Sequence, residues 1–186
     1  MALAPVRVTG PSGSVIDMND LKLWLKVDDN DDDMTIHRLA TAAVAAFDGI
    51  RSPMRRCLLT QTWRQDFDGW GTYGYLRLPF FGVSAVVVKY FDSDNAEQTV
   101  SSSLYELLED ECGAYVNFLS DFSEPSVYTR SDAVRVTMTV GYGTAADIPS
   151  EIINAIWRMV AMAYEKRDAQ VEAADYVPSP YRDYHV

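Results

Sequence analysis

The sequence predicts an α+β protein in which an antiparallel β module is inserted into a small helical bundle, made of N-terminal helices and one C-terminal helix. In residues 134–140, valine and methionine alternate with arginine and threonine, which is the period-2 pattern of a half-buried strand. Apolar residues recur at helical spacing over residues 36–50 and 152–164, on either side of the predicted strands. The expected segments are an N-terminal arm with helices (1–56), a β module (57–141), a closing helix (142–167) and a C-terminal arm (168–186).

The N-terminal segment is expected to begin with an extended arm and a short helix. Residues 1–14 contain two prolines and two glycines, which favour an extended chain. Asn19 or Asp20 is expected to cap a helix whose apolar side includes Leu21 and Leu25.

An acidic run, Asp-Asp-Asn-Asp-Asp-Asp, occupies residues 28–33. Its alternating oxygen donors resemble the start of a calcium-binding loop. Such a loop needs glycine at its sixth position and a bidentate glutamate at its twelfth, where this chain has Asp33 and Leu39. We therefore interpret the run as a loop whose last aspartate caps the next helix.

Two amphipathic helices are expected to pack on each other. The first covers about residues 32–50, and the second follows Pro149, which suits the first turn of a helix. Each has an apolar face that no other predicted helix can cover. The residues expected to form the contact are Leu39, Ala43, Phe47, Ile152, Ile156, Met159 and Ala163.

The β module is predicted from runs of branched and aromatic residues separated by turn residues. Residues 83–91 are apolar on both sides of the strand, which indicates a central strand. The other predicted strands are residues 57–67, 75–78, 97–100, 104–108 and 114–119.

Composition and charge exclude several classes of function. A net charge of −11 argues against stand-alone binding to a phosphate backbone. No segment is apolar enough to span a membrane, and the N-terminus lacks a signal-peptide pattern. The two cysteines, Cys57 and Cys112, are expected to be reduced thiols. We expect no cofactor.

Catalytic signals are scarce. His37 and His185 are the only histidines, and neither has a cysteine or histidine at metal-ligand spacing. Glycine-rich phosphate loops and nucleophile-elbow motifs do not occur. We therefore expect a protein that is not an enzyme and that holds no metal.

Four aromatic residues leave one alternative open. Trp63, Trp70, Tyr73 and Tyr75 could line a sugar-binding face, as in a carbohydrate-binding module. Their strand periodicity favours sheet core instead.

The order of the motifs resembles that of the head–tail connector, or adaptor, proteins of long-tailed phages and of the gene transfer agents derived from them. The resemblance extends to about residue 168. Its motifs, in chain order, are Leu21-Lys22-x-Trp24-Leu25-Lys26, an acidic loop, an alanine-rich helix, Leu59-Thr60-Gln61-Thr62-Trp63, Leu76-x-Leu78-Pro79, Tyr105, Val136-x-x-x-Val140-Gly141-Tyr142-Gly143, Ile148-Pro149 and residues 155–167.

The resemblance implies a ring of subunits, usually a dodecamer, that docks on the portal protein at the head–tail junction of the virion. Such a ring extends the DNA channel without binding DNA specifically, and offers a platform to a stopper or tail-completion protein. The protein would reside in the host cytoplasm during assembly. The resemblance also implies that the C-terminal segment reaches the portal. Tyr176, Tyr181, Arg182 and Tyr184 are the expected contacts there, since tyrosine gives a large contact area at low rotamer entropy. Another neck component, a stopper or tail terminator, is the alternative within the same class.

Overall fold

The structure is a computed structural model that describes residues 1–71 and 73–165. It confirms the predicted class, since helices and two antiparallel sheets share the chain. In chain order, the helices and strands are β1 (Val6–Thr9), α1 (Met18–Leu25), α2 (Asp33–Phe47), β2 (Gln61–Phe67), β3 (Tyr75–Arg77), β4 (Val83–Phe91), β5 (Glu97–Thr99), β6 (Tyr105–Asp110), β7 (Gly113–Phe118), β8 (Val134–Val140) and α3 (Ser150–Glu165).

The chain divides into two compact units. The β unit contains Met1–Pro11 and Thr60–Gly141, and the helical unit contains Ser12–Leu59 and the described residues from Tyr142 onward. The first residues thus belong to the β unit. Where an extended arm was expected, β1 pairs antiparallel with β2, because its Val-Arg-Val-Thr sequence suits an edge strand.

The larger sheet of the β unit has the order β1-β2-β8-β4-β5, and the smaller has the order β3-β7-β6. The alternation predicted for residues 134–140 is confirmed: the valines and the methionine of β8 are fully buried, and the residues between them are half-buried. Gly141 and Gly143 follow β8 with φ angles of 119° and 128°, which other residues rarely adopt.

Strand β4 lies between β8 and β5, but only one of its faces is buried. Val88 is inaccessible to solvent, whereas its neighbour Val87 is 46% exposed. The central position predicted for this strand is confirmed, although its apolar run does not bring burial on both faces. Strand β5 pairs only with the end of β4, from Lys89 to Phe91.

Two local predictions in the helical unit need correction. Asp17 caps α1, where Asn19 or Asp20 was expected, and accepts hydrogen bonds from the backbone N–H groups of both (2.7 and 3.3 Å). The strand predicted from residue 57 begins only at Gln61. Leu58 instead packs into the helical core, where the Asp48 carboxylate accepts its backbone N–H at 2.7 Å.

Candidate interaction surfaces

The helix contact expected from the sequence lies in the core of the helical unit, where α2 packs against α3. The seven expected residues differ in burial. Ala43, Phe47, Ile152 and Ile156 are buried in the core cluster, Leu39 and Met159 are partly buried against it, and Ala163 is half-buried.

The acidic loop of residues 28–33 folds around the ammonium group of Lys22. Its Nζ atom lies 2.6 Å from the Asp29 carbonyl oxygen, 2.8 Å from Asn30 Oδ1 and 2.5 Å from Asp33 Oδ1. The lysine side chain is only 15% exposed. A positive group of the chain itself therefore occupies the centre of these oxygens.

The expected capping role of the last aspartate is wrong. Asp33 is the first residue of α2 and faces Lys22, and the N-cap residue Asp32 makes no side-chain capping bond. The Asp32 carboxylate instead accepts a hydrogen bond from Tyr164 Oη at 2.5 Å, which joins the start of α2 to the end of α3. Among the residues that the structure describes, no group of three or more histidine, cysteine, aspartate or glutamate side chains could hold a metal ion.

A charged cluster closes one end of the larger sheet. Asp132 accepts hydrogen bonds from Arg130 Nε at 2.5 Å and from Arg135 Nη2 at 2.6 Å. Both guanidinium groups also lie over the Phe91 ring, at 3.8 and 4.6 Å from its centroid. The bonds from Arg130 and Arg135 hold the pKa of Asp132 far below its ordinary value.

The four aromatic residues considered for a sugar-binding face do not form one. Trp70 is buried against Tyr90, Phe118 and Phe122, and its indole N–H donates to the Pro125 carbonyl at 2.9 Å. Trp63 lies on the larger sheet and packs against Phe80. The sugar-binding platform considered as an alternative, in which these two tryptophans join Tyr73 and Tyr75, is therefore absent among the described residues.

Tyr73 and Tyr75 belong instead to a different surface, here called the tyrosine face. It consists of Tyr73 and four of the outward residues of the smaller sheet: Tyr75, Arg77, Leu108 and Tyr115. Tyr73 is 81% exposed and its ring lies 6.3 Å from that of Tyr75.

Contacts between side chains order the tyrosine face. Arg77 lies over the rings of Tyr75 and Tyr115, at 5.5 and 4.9 Å from their centroids, and donates to Asp110 at 2.6 Å. This bond lowers the pKa of Asp110 and raises that of Arg77. Arg77, Leu108 and Tyr115 were not selected from the sequence. The signal that could have identified them is the alternation of a strand, which places every second residue on the same face.

The other residues considered from the sequence are the histidines, the cysteines and the expected portal contacts. His37 is exposed on α2, Cys57 is buried and Cys112 is exposed, and the two cysteines do not form a disulfide. The expected portal contacts Tyr176, Tyr181, Arg182 and Tyr184, and also His185, lie outside the described residues. Within the described residues, no helix is long and apolar enough to cross a membrane.

No protein-family model and no curated protein matches the chain. Among solved structures, a chain in the neck of an empty gene transfer agent (GTA) particle superposes with a TM-score of 0.77, at 18% identity over 99% of this chain and 97% of that one. A chain in the virion of a native particle gives 0.76, at 19% identity over 99% and 97%. A chain in the neck of a native particle gives 0.66, at 17% identity over 96% and 97%. This chain therefore has the fold of a protein found in the neck of gene transfer agent particles.

Proposed function

We propose that the protein is a structural, non-enzymatic component of a virion neck, and specifically a head–tail connector. It forms a ring that docks on the portal protein, extends the DNA channel and supports a stopper or tail-completion protein. The observation that carries the proposal is the similarity to neck chains along almost the full length of both chains. We assign the role by analogy with a fold shared over the whole chain, because a fold by itself can serve several functions.

Ring formation has support from the neighbours' symmetry. The neck of the native particle was computed with C12 symmetry and that of the empty particle with C6 symmetry. A ring of twelve copies satisfies both, because six divides twelve. Cyclic rings need two different surfaces on each subunit that fit each other.

The charge of the chain suits a DNA channel. A net charge of −11 gives the same sign as the phosphate backbone, so DNA would slide past such a ring instead of adhering to it. The protein would then act in the virion neck and pass through the host cytoplasm during assembly.

The decisive experiment mixes the purified chain with purified portal protein, without other neck proteins. A connector should co-sediment with the portal and form a ring of uniform stoichiometry, visible by electron microscopy. A stopper or tail terminator would instead bind only to a preassembled connector or to the tail tube. Loss of the gene should leave filled heads without tails.

A truncation tests the part of the chain expected to contact the portal. Removing residues 168–186 deletes Tyr176, Tyr181, Arg182 and Tyr184. The described core of the helical unit ends near Val160, so the circular dichroism spectrum and melting temperature should change little. Co-sedimentation with the portal should be lost. Normal attachment by the truncated chain would refute the assigned portal contacts.

A further inference from the structure

We propose that the tyrosine face is the docking surface for an extended, basic polypeptide segment of another particle protein. The inference rests on the proposed function for the presence of such a partner. It adds the surface used and the chemistry of the segment that binds there.

The composition of the tyrosine face is that of an interface centre. Tyrosine and arginine are enriched in the cores of protein interfaces, where they provide large contact areas at low entropic cost. Tyr73 exposes 81% of its surface. Stacking with Arg77, together with the Arg77–Asp110 bond, holds the Tyr75 and Tyr115 rings in place before any partner arrives.

The size of the face favours a segment over a globular domain. Three strands spaced at about 4.8 Å, the longest with six residues rising about 3.3 Å each, give a patch of roughly 300 Å². A stable interface between globular proteins buries about 800 Å² on each partner. A single extended segment matches the smaller area, and repetition around a ring would raise the avidity of a weak contact.

The charges around the face decide the chemistry of the partner. Glu106, Asp110 and Glu111 are exposed on the outward side of β6 and in the turn after it, and Arg77 pairs with Asp110. Glu109 lies on the other side of the sheet, where it accepts the Gly82 backbone N–H. This excess of carboxylates attracts a basic segment and repels DNA. A flat sugar is disfavoured because the Tyr75 and Tyr115 rings are tilted by 66°.

Site-specific cross-linking in assembled particles tests the proposal. The full-length chain carries the photo-cross-linker p-benzoylphenylalanine in place of Tyr73, and in a control in place of Tyr128, which is 44% exposed elsewhere on the β unit. After irradiation, mass spectrometry identifies the residues joined to each position. We expect Tyr73, and not Tyr128, to cross-link to a segment of another particle protein that carries net positive charge.

Charge reversal supplies a second measurement. Glu106→Lys with Glu111→Lys should lower the cross-linking yield at position 73 about tenfold or more, because it reverses the sign of the border. Asp31→Lys with Asp94→Lys makes the same change in net charge at exposed positions of the acidic loop and of the turn between β4 and β5, outside the smaller sheet, and should leave the yield unchanged.

The outcomes separate the inference from the proposed function. If the protein is missing from purified particles, the proposed function fails. The inference fails if the protein is present and position 73 cross-links to nothing, to a second copy of this chain, or to an acidic segment. Equal loss of yield in both charge-reversal variants also overturns it.

Discussion

The helical unit and the β unit both pair acidic side chains with basic ones at short separations along the chain, but the β unit adds pairs that are far apart in the sequence. In the helical unit, Lys22 contacts oxygen atoms of residues that follow it by only 7 to 11 positions. In the β unit, Arg77 and Asp110 are 33 positions apart, and Arg135 and Glu97 are 38 apart. Contacts of the first kind form with the local turn, whereas the second kind exist only after the strands have paired. The comparison indicates which features a local sequence pattern can reveal.

The largest expected loss of stability comes from disrupting the long-range packing of the β unit. Trp70→Ala should lower the free energy of unfolding by about 3–5 kcal/mol, because it removes a buried indole from three aromatic neighbours and from Pro125. Tyr73→Ala, only three positions away, should change it by less than about 0.5 kcal/mol, since that ring is exposed. Urea denaturation followed by circular dichroism measures both. Similar losses in the two variants would contradict the assignment of Trp70 to the core and Tyr73 to the surface.

The core of the helical unit is tested at Ala43. Ala43→Asp should lower the free energy of unfolding by on the order of 3 kcal/mol, because it places an unpaired charge at a position that is 2% exposed. The control is Ala42→Asp, which makes the same substitution on the exposed side of α2 and should cost less than about 1 kcal/mol. Thermal unfolding that does not distinguish the two variants would show that α2 packs differently.

A smaller effect is expected where the helical unit balances charge locally. Lys22→Met should lower the free energy of unfolding by about 1–2 kcal/mol, because the Asp33 carboxylate and the loop oxygens lose their positive partner. Lys26→Met is the matched control, since Lys26 is exposed and makes no such cluster. High salt should recover part of the loss by screening the remaining carboxylates. Equal denaturation midpoints for the two variants, at low and high salt, would argue against the role given to Lys22.

The smallest effect concerns the charged cluster of the β unit and depends on pH. The pKa of Asp132 is lowered in the folded state, so its contribution is present above the ordinary aspartate pKa and is lost as the pH falls through the folded pKa. Asp132→Asn should cost about 1 kcal/mol near neutral pH. The difference between the variant and the parent should shrink as the pH falls below about 4. Denaturation midpoints of the variant and the parent, measured from neutral pH to below about 4, test this prediction. A stability difference that stays constant with pH would show that the pairing of Asp132 with Arg130 and Arg135 does not cause it.

The fold class could be predicted from the sequence, because buried residues recur at a regular spacing within each helix and strand. Strand β8 alternates as its sequence indicates, and the apolar faces of α2 and α3 are visible as helical repeats. Local chemistry was less predictable. Asp17, Asn19 and Asp20 are all able to cap a helix, and only the backbone conformation selects Asp17.

Surfaces were harder still to predict. Tyr75 and Tyr115 are far apart in the sequence, and the pairing of β3 with β7 brings them to one face. The four aromatic residues considered for one sugar-binding face are close together in the sequence. After β2, however, Trp70 is buried and Tyr73 is exposed. Proximity along the chain was therefore the wrong guide to proximity in the fold.

The positive charge that neutralises the acidic loop is part of the chain itself, because the Lys22 ammonium group supplies it. A loop neutralised by a bound ion changes when the concentration of that ion changes, whereas Lys22 is tied to its loop by the backbone. Its effective concentration stays the same on dilution or chelation. The charge balance at the start of α2 therefore does not require an ion to be taken up from the medium in which the protein assembles.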